Sequence, residues 1–594
     1  MLRYRSVAFV AALVLAASAC TTAASSPSAA PVATPGESAA ASQPAGSPAV
    51  QIKEGGTIIV GLPGDMVLAD PTLVSDSNSS YIMENVIQGL VGLKPGTTSD
   101  VEPVLASAMP TVSADGLTYT FTLRSGIKFH DGTALDSTAV KYNYDRQKNA
   151  PAALQDSYNY YYGAVFGWGA NSNITSIDTP DPMTVVFHLA HPQSNFLLAT
   201  TLPQFGIQSP TALQAGDADN PDPSKSAYAQ GTGGTGKSMV GTGPFMFKEW
   251  QVGDHVTLVK NPNYWDPNGV AHLDSIIYKP YADQTAELNA LQSGDIDFAQ
   301  TINPNDVKTV QADSTLQAID RGASCNEGLL QLNQSDTQSA SAAAAKPAIP
   351  IVDPAAHKLN QNPMIRQAIM YALNRQSYVD AFYADLAKPA DNWMPPSTEY
   401  YKALNLPTYD VQKAKDLIAA SGVAAADLKT TLYYPSDVAR PYMPNPKGLA
   451  EAIATDLEAV GFQVQFGTAG WHAGYLTDEA VGTYPMWLLG WTCDWGGPDN
   501  FLDTAFFHFN AGKPNDEFAY GPPALLQDFQ KAEQATDPAT AQAAWGAAQD
   551  QLAQDLPTIP LINSQPPAAA KAYVMGFVGA GNLNEYFNSV WLNK

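Results

Sequence analysis

Residues 487–501 read Trp-Leu-Leu-Gly-Trp-Thr-Cys-Asp-Trp-Gly-Gly-Pro-Asp-Asn-Phe, and this stretch decides how the rest of the chain is interpreted. Asp494 lies between two large aromatic residues, Trp491 and Trp495, at the end of an apolar run, and a Gly-Gly-Pro turn follows it. An acid at a strand end between two indoles is placed to bind a cation away from bulk water, where a charge-assisted hydrogen bond is stronger. The alternative is an aspartate that caps a turn between two core tryptophans. These residues alone leave both interpretations open.

The composition is that of a large globular protein. The chain has 594 residues, of which 45% are hydrophobic and 10% aromatic, enough for several domains. Its formal net charge is −25, and no basic stripe is present to meet phosphates. We therefore expect no nucleic-acid partner.

The N-terminus predicts export. Arg3 and Arg5 precede an apolar run over residues 7–17, which ends in Ala-Ser-Ala before Cys20. This pattern is typical of a signal peptide and is too short to span a membrane. It resembles the lipobox of bacterial lipoproteins, which implies that Cys20 is lipidated; simple secretion is the alternative. Residues 21–50, rich in Ala, Ser, Thr and Pro, predict a flexible tether between a membrane anchor and an extracytoplasmic body.

The motifs in the sequence favour a binding protein over an enzyme. Residues 231–238 match the P-loop pattern, but no apolar strand precedes them and Pro244 follows closely, so we expect no nucleotide site. No nucleophile motif, metal-ligand spacing or cofactor motif appears. Cys325 and Cys493 form one disulfide or remain as two thiols. The enzymatic alternative is a secreted hydrolase that uses Asp494 as an acid. Its second carboxylate would be Asp499.

The apolar periodicity predicts strands and helices along the chain, and these alternate in its later half. We expect strands at 56–62, 118–124, 183–189 and 462–466. We expect helices at 137–146, from Pro363 to 373, at 411–420 and at 447–460. Helix, glycine and strand in short order are typical of αβ units on an open sheet, where ligands bind beyond strand ends. The segments 211–240 and 334–358 are predicted to be inserted surface loops.

A second charged residue lies on a rigid segment. Arg440 opens the sequence Arg-Pro-Tyr-Met-Pro-Asn at 440–445, just before the predicted helix at 447–460. A guanidinium on a proline-restrained base suits a carboxylate, because both groups are planar and can pair through two hydrogen bonds. A surface arginine on a loop is the alternative.

Four sequence blocks together resemble the extracytoplasmic solute-binding proteins of ABC importers, in the class that binds oligopeptides, dipeptides and nickel. The blocks are Leu123–Gly132, Gly241–Phe245 with Asn261–Trp265, Met364–Leu373 and Gly490–Phe501. The resemblance implies a periplasmic-binding-protein-like α/β fold with two hinged lobes and an additional domain.

Within this class the chain is most similar to the dipeptide-binding branch. That similarity implies that Asp494 binds the α-ammonium of a peptide and that Arg440 binds its α-carboxylate. Tyr442, Trp491 and Trp495 are then expected to form the walls of the side-chain pockets. Cys493 and Trp495 depart from the small or polar residues that this branch usually carries beside the aspartate.

The resemblance also implies three domains, the first of them discontinuous. Residues 1–20 are the lipoprotein signal peptide and 21–50 the tether. Domain I is expected at 51–92, 205–300 and 565–594, domain II at 93–204 and domain III at 301–564.

The predicted function is capture of short peptides, most simply dipeptides, in a cleft between the lobes and delivery to an ABC permease. We expect a monomer without cofactor or metal, held to the membrane by its lipid anchor. The alternatives within the class are a longer peptide, an oligosaccharide, haem or a metal chelate.

Overall fold

The computed structural model describes residues 51–155, 159–335, 353–510, 513–514 and 518–594. The predicted signal peptide, the tether and Cys20 lie outside these residues. Residues 52–594 form one compact unit.

A seven-stranded sheet contains the first strand of this unit. Thr57–Leu62 pairs in parallel with two strands, Ser275–Pro280 and Phe298–Ala299, so the carboxyl ends of these three strands share one edge. The remaining pairs of the sheet are antiparallel. The strand order is Leu316–Ile319, Ala568–Lys571, Phe298–Ala299, Thr57–Leu62, Ser275–Pro280, His255–Lys260 and Phe245–Gln251.

A four-stranded antiparallel sheet follows in the chain. Its order is Thr111–Val112, Thr118–Thr122, Thr184–Leu189 and Ile174–Asp181. The alternation of polar and apolar residues in Thr118–Thr122 puts Tyr119 and Phe121 into a core that the helix Ser137–Lys148 helps to cover. The strands predicted near 118 and 183 and the helix predicted from 137 are confirmed.

A six-stranded mixed sheet organises the later half of the chain. Its order is Ala387–Pro389, Ile559–Ser564, Asn326–Leu332, Met486–Thr492, Lys429–Pro435 and Gln463–Ala469. Lys429–Pro435 runs parallel to both of its neighbours, whereas the other pairs are antiparallel. The carboxyl ends of three adjacent strands therefore meet at one edge of the sheet.

Fifteen α-helices lie in the described part of the chain. Their bounds are Ser77–Met83, Ser137–Lys148, Tyr160–Phe166, Phe196–Ala199, Pro210–Ala215, Gln284–Ser293, Val307–Ala312, Pro354–Asn360, Pro363–Ala372, Arg375–Phe382, Val411–Ala420, Pro446–Ala459, Tyr475–Glu479, Pro523–Glu533 and Pro538–Asp555. A π-helix spans Asn500–Phe507. Short 3₁₀ turns lie at Pro71–Leu73, Gly169–Asn171, Pro203–Phe205, Pro223–Lys225, Pro304–Asp306 and Ala425–Asp427. Small two-stranded pairs join Val91–Leu93 with Val101–Pro103, Val574–Met575 with Trp591–Leu592, and Phe509–Asn510 with Lys513–Pro514.

The helices predicted from Pro363, at 411–420 and at 447–460 are confirmed within two residues at each end. The two predicted insertions are not entirely loop, and this part of the prediction was wrong. Ser209 caps a helix over Pro210–Ala215, and Asp353 caps one over Pro354–Asn360. Both begin with proline just after a side chain that accepts a backbone N–H, a start signal strong enough to form a short helix. The rest of 334–358 lies largely outside the described residues.

Two chain segments, 320–325 and 565–567, connect the seven-stranded and six-stranded sheets. The buried Arg321 guanidinium donates to the carbonyl of Pro566 on the other crossing (2.9 Å) and pairs with the buried carboxylate of Glu585. Ser324 also donates to the carbonyl of Ser564 at 2.5 Å. The crossings are therefore bonded to each other. The domain boundaries inferred from the sequence stay a prediction.

Candidate functional site

The candidate site lies at the edge where three parallel strands of the six-stranded sheet end. Lys429–Pro435, Gln463–Ala469 and Met486–Thr492 are adjacent, and the loops that follow them carry Arg440, Trp471 and Asp494 in that order. Ligands of open α/β sheets bind beyond such carboxyl ends, because the loops there converge. The topology therefore brings the two charged residues inferred from the sequence to one edge.

Asp494 accepts hydrogen bonds on both carboxylate oxygens from uncharged groups. The Tyr161 hydroxyl, on the side of the four-stranded sheet, donates to Oδ1 (2.7 Å), and the Asn500 amide donates to Oδ2 (3.0 Å). The Asn500 carbonyl oxygen in turn accepts the backbone N–H of Asp494 (3.0 Å) and the Trp491 indole N–H (3.2 Å). Asn500 is the first residue of the π-helix, which fixes its side chain against the loop.

The charge of Asp494 has no ionic partner within the described residues. The side chain is half-buried, and burial raises its pKa, while its neutral donors offset part of that shift. Neutral donors orient a carboxylate without cancelling its charge. A cation that enters the site would therefore gain the full ion-pair interaction.

Arg440 is held in place from two sides. Its backbone exchanges two hydrogen bonds with Met443 (3.2 and 2.9 Å), which closes a tight turn around the proline that follows. Its guanidinium lies over the Trp471 ring, 5.0 Å from the centroid, a distance typical of a cation–π contact. The buried Nε of Arg440 has no hydrogen-bond partner, and the residue forms no ion pair with any side chain in the described ranges.

Trp471 is a site residue that the sequence analysis missed. Its backbone N–H donates to the Asp437 carboxylate (2.7 Å), and its indole stacks on Tyr475 with 5.7 Å between centroids and 19° between planes. It follows the strand predicted at 462–466, so its place after a parallel strand was the available signal. Tyr161 and Asn500 were missed as well, because nothing local in the sequence links them to Asp494.

The three aromatic residues expected to line pockets occupy different places. Trp491 is half-buried and bonded to Asn500 beside Asp494. Trp495 has no exposed surface, packs into the core around the four-stranded sheet, and donates its indole N–H to Asp499 (2.8 Å). Tyr442 is 3% exposed and packs in the core of the six-stranded-sheet region. Of the three, only Trp491 offers surface to a ligand in this conformation.

The Tyr442 ring packs against Gly490. A Cβ on Gly490 would lie 2.6 Å from the Tyr442 ring and 2.1 Å from the carbonyl oxygen of Glu327, so only glycine fits there. Burial raises the pKa of Tyr442, and the adjacent Arg440 lowers it.

Cys325 and Cys493 form a disulfide, which resolves the alternatives left by the sequence. Cys325 ends the crossing segment 320–325, and Cys493 immediately precedes Asp494. The Cys493 N–H also donates to the Cys325 carbonyl (2.9 Å). The disulfide therefore links the loop that carries Asp494 covalently to the crossing segment 320–325 between the sheets.

The described residues form neither a metal cluster nor a membrane-spanning helix. No group of three or more His, Cys, Asp or Glu side chains in the described residues is arranged to hold a metal ion. None of the helices described above is long and apolar enough to cross a membrane.

Comparisons with known proteins agree with this architecture. The model of the bacterial extracellular solute-binding proteins, family 5 (middle region) matches residues 100–513. The chain is 29% identical over 527 residues to the glutathione-binding protein GsiB of Shigella flexneri, covering 88% of this chain and 91% of that protein. It is 28% identical to GsiB of Salmonella paratyphi A, covering 90% and 93%.

Solved structures give the same result. The ABC transporter-associated periplasmic binding protein DppA of Helicobacter pylori, in complex with the peptide STSA, superimposes with a TM-score of 0.72 at 27% identity, over 91% of this chain and 99% of that one. A dipeptide-binding protein of a Pseudoalteromonas species, in complex with Met-Leu, gives 0.72 at 21% identity, over 91% and 100%, which supports the fold. The predicted periplasmic-binding-protein-like fold is therefore confirmed. The chain belongs to the bacterial extracellular solute-binding proteins of family 5, which are extracytoplasmic binding proteins of ABC importers and not enzymes.

Proposed function

We propose that the protein captures short peptides and delivers them to a membrane permease, with Asp494 binding the α-ammonium and Arg440 the α-carboxylate. The observation that carries this proposal is the pair of opposite charges at one sheet edge, each oriented by neutral groups and neither in an ion pair within the described residues. A zwitterionic ligand carries the two opposite charges that Asp494 and Arg440 would bind. The solved relative bound to the peptide STSA supports the same ligand class.

Ligand binding and lobe closure are linked in this proposal. A half-buried carboxylate that loses more water as the lobes close is costly unless a cation reaches it, and an uncompensated buried charge costs roughly 3–5 kcal/mol. The ligand ammonium removes that cost, so the bound state favours the closed form. The domain boundaries given above are part of this proposal.

The test is the Asp494→Asn variant, measured by titration calorimetry with dialanine, trialanine and glutathione. The amide keeps the shape and removes the charge: its oxygen accepts from Asn500, and its N–H donates to the hydroxyl oxygen of Tyr161. We expect peptide affinity to fall by roughly a hundredfold or more, since loss of one partner of a desolvated ion pair costs about 2–5 kcal/mol. Asp416→Asn, on an exposed helix face, is the matched control and should bind like wild type. Unchanged affinity in Asp494→Asn, with an unchanged melting temperature, would refute the assignment.

Glutathione is a second candidate ligand, because the curated relatives described above carry that name across 88–90% of this chain. It has one ammonium and two carboxylates, so it fits Asp494 and Arg440 and leaves one carboxylate over. Competition between glutathione and dialanine in the same titration distinguishes the two. A preference of tenfold or more identifies the physiological class.

We further propose that Cys20 is lipidated and anchors the protein, as a monomer, on the outer side of the membrane. The sequence Ala-Ser-Ala-Cys at 17–20 supports this. The predicted flexible tether over residues 21–50 would let the folded part of the chain extend away from the membrane surface. Recovery of the protein in the detergent phase, and of a Cys20→Ser variant in the aqueous phase, distinguishes anchoring from secretion.

A further inference from the structure

The loop that follows Asp494 inserts a tryptophan into a different region of the molecule. Trp495 lies in the loop after the strand Met486–Thr492 of the six-stranded sheet. It has no exposed surface and packs in the core around the four-stranded sheet. Every other buried residue described in this core lies between Leu90 and Val240. Trp495 therefore reaches from the six-stranded-sheet region into a core that another part of the chain builds.

Hydrogen bonds fix the turn around the inserted indole. The Trp495 indole N–H and the Asn195 side-chain amide both donate to Oδ2 of Asp499, at 2.8 and 2.5 Å. The backbone N–H of Gly496 donates to the carbonyl oxygen of Thr98 at 2.9 Å. A Cβ at Gly496 would lie 2.7 Å from that carbonyl oxygen, so a larger residue would push the two backbones apart. The turn is therefore bonded to the four-stranded-sheet region through both backbone and side chains.

The candidate ligand carboxylate is oriented from the same side. The Tyr161 hydroxyl donates to Oδ1 of Asp494 (2.7 Å), and Tyr161 lies on the helix Tyr160–Phe166, which packs in the core around the four-stranded sheet. Asp494 and Trp495 are adjacent in the chain, so a displacement of one moves the other. Withdrawal of Trp495 from this core would therefore also separate Asp494 from Tyr161.

The chain connections allow the contact at Trp495 to separate. The six-stranded sheet is joined to the seven-stranded sheet by the crossing segments 320–325 and 565–567. The four-stranded sheet lies in the chain between two strands of the seven-stranded sheet, Thr57–Leu62 and Phe245–Gln251. Within the described ranges, no chain segment runs directly from the six-stranded to the four-stranded sheet. A cleft that opens about the crossings must therefore either withdraw Trp495 or carry the four-stranded-sheet region with it.

The four-stranded-sheet region is attached more firmly to the seven-stranded-sheet region. Arg146, on the helix Ser137–Lys148, pairs with Asp70 (2.5 Å) and donates to the hydroxyl of Thr72 (2.9 Å), and the Arg146 and Asp70 side chains are 6% and 0% exposed. Separating a buried ion pair is costly where either charge stays buried. The contact at Trp495 contains no ion pair between described residues, so it is the contact that opens.

We propose that Trp495 is a latch: its indole fills the four-stranded-sheet core while the cleft is closed and leaves that core when the cleft opens. Burial of an indole removes a large apolar surface from water, which favours the closed form whichever ligand is bound. Trp495 is then a positioning residue for Asp494 and not the pocket wall that the sequence suggested. The inference rests on the proposed function, in which the cleft opens to admit and release a peptide.

The first experiment reads the exposure of individual tryptophans in the wild type. Ligand is removed by unfolding in guanidinium with the disulfide intact and refolding, and hydroxyl-radical footprinting with mass spectrometry is run with and without saturating dialanine or glutathione. We expect oxidation of Trp495 to be about fivefold or more faster without ligand, because only the open form exposes it. Trp393 and Trp545, buried in the core around the six-stranded sheet, are internal controls that stay protected. Equal oxidation of Trp495 with and without a ligand that binds overturns the proposal.

The second experiment replaces the latch. In Trp495→Ser the dissociation constants of dialanine, Phe-Ala and glutathione should all rise by one common factor, about tenfold or more, because the indole stabilises the closed form without contacting the ligand. The increase should come from faster release, with association changed less than about threefold. Trp495→Phe should lie between Trp495→Ser and the wild type, since the smaller ring keeps part of the burial.

Trp265→Ser is the matched control. Its indole packs on the same core and donates to Gln88 (2.9 Å) without contacting the turn after Asp494, so this variant should melt lower and keep the wild-type affinities. Wild-type affinity in Trp495→Ser, measured well below its melting transition, overturns the proposal. A loss that differs between dialanine and Phe-Ala also overturns it and makes Trp495 a pocket wall.

Failure of the latch and failure of the proposed function give different results. A wild type that binds neither the two peptides nor glutathione refutes the proposed function. The footprint of the ligand-free protein still decides the latch in that case. Oxidation of Trp495 well above that of Trp393 supports the latch, and equal protection of the two overturns it.

Discussion

At the scale of single residues, the two indoles that flank Asp494 contact different parts of the molecule. Trp491 shares Asn500 with Asp494 and stays partly exposed, whereas Trp495 is fully buried against the four-stranded-sheet region. The sequence interpretation treated them as equivalent pocket walls. Each interpretation of this stretch is met in part, because Asp494 is half-buried without an ionic partner in the described residues and one of its neighbours is a core tryptophan.

The sequence predicted where Asp494 and Arg440 lie but not what surrounds them. The place of Asp494 at the end of an apolar strand and that of Arg440 on a proline-restrained segment before a helix follow from local patterns, whereas the parallel strand Lys429–Pro435 that precedes Arg440 was not predicted. The hydrogen bond from Tyr161 to Asp494 joins residues 333 positions apart, and no local signal encodes such a contact. The stacking of Arg440 on Trp471 likewise depends on the order of strands in the sheet, which a single sequence leaves open.

We predict that Trp471→Leu weakens peptide binding through Arg440. Loss of the ring removes a cation–π contact of about 0.5–2 kcal/mol. The Arg440 guanidinium can then move away from the α-carboxylate of the bound peptide. Affinity for a free-acid peptide should fall about tenfold, and affinity for its C-terminal amide should change little, as measured by calorimetry.

Trp471→Phe should restore part of the difference between acid and amide, because a smaller ring keeps a weaker contact. Trp250→Leu, next to Asp65 on the seven-stranded-sheet side, serves as the control for general destabilisation. If Trp471→Leu loses acid and amide binding equally, Trp471 supports the fold and does not position Arg440.

At the scale of elements, the turn after Asp494 docks the six-stranded-sheet region against the four-stranded-sheet region. Asp499 accepts from the Asn195 amide (2.5 Å) and from the Trp495 indole. The Ser194 N–H donates to the carbonyl of Glu533 (2.7 Å) at the end of the helix Pro523–Glu533. Several carboxyl groups lie at this contact: Asp503 and Glu533 interact closely, Asp499 lies near both, and Glu399 lies near Asp499.

Proton binding at this contact makes stability depend on pH. Burial raises the pKa of Asp499 to about 6, and burial together with the charge of Asp499 raises the pKa of Asp503 to about 7. Burial, together with the charges of Asp503 and Asp499, raises the pKa of Glu533. An unfolded chain ionises these groups near pH 4, so the folded protein binds more protons between about pH 4 and 7. The stabilisation is present at pH 4 and is lost as the pH rises through 6 to 7.

We predict that the melting temperature falls from pH 5 to pH 8, and that Asp499→Asn reduces this fall. The amide still accepts from Asn195 and Trp495 but cannot ionise, so the variant should melt a few degrees above wild type at pH 8. Calorimetric scans across the pH range test this, with Asp416→Asn as a control that keeps the wild-type slope. An identical slope in Asp499→Asn would show that this cluster does not control the pH dependence.

Among the elements, amphipathic helices were predictable and short capped helices were not. The apolar stripe of Ile365 and Ile369 has no competing interpretation, and the helix Pro363–Ala372 formed as expected. The helix Pro210–Ala215 has a single fully buried leucine and lies in a segment rich in turn residues. This composition led to the prediction of a loop, although Ser209 is a good N-cap residue. Short helices depend on tertiary contacts that a single sequence does not show.

At the scale of the whole molecule, the backbone passes directly between the six-stranded and seven-stranded sheets only through the two crossing segments, in the part of the chain the structure describes. Arg321 bonds one crossing to the other, and the disulfide bonds the first crossing to the loop of Asp494. The fold class and the order of these parts were accessible from the family blocks. The disulfide pairing was not, because two cysteines 168 positions apart give no local signal.

We predict that replacing both Cys325 and Cys493 by serine destabilises the protein and weakens ligand binding. A disulfide that closes a long loop contributes typically about 2–4 kcal/mol, and here the loop spans 168 positions. The melting temperature should fall by several degrees, and peptide affinity measured well below the melting transition should fall several-fold as the Asp494 loop loosens. A variant that melts lower but binds like wild type would show that the bond stabilises the fold without positioning Asp494.

The position of that disulfide has a consequence for the biogenesis of the protein. Thiols in the cytosol are kept reduced, and disulfides form in oxidising compartments. A newly synthesised chain that has not yet been exported therefore carries the loop of Asp494 without its covalent tether. Oxidation outside the cytoplasm therefore adds the bond between the Asp494 loop and the crossing segment only after export, and under the function proposed above we expect the precursor to bind peptides more weakly than the exported protein.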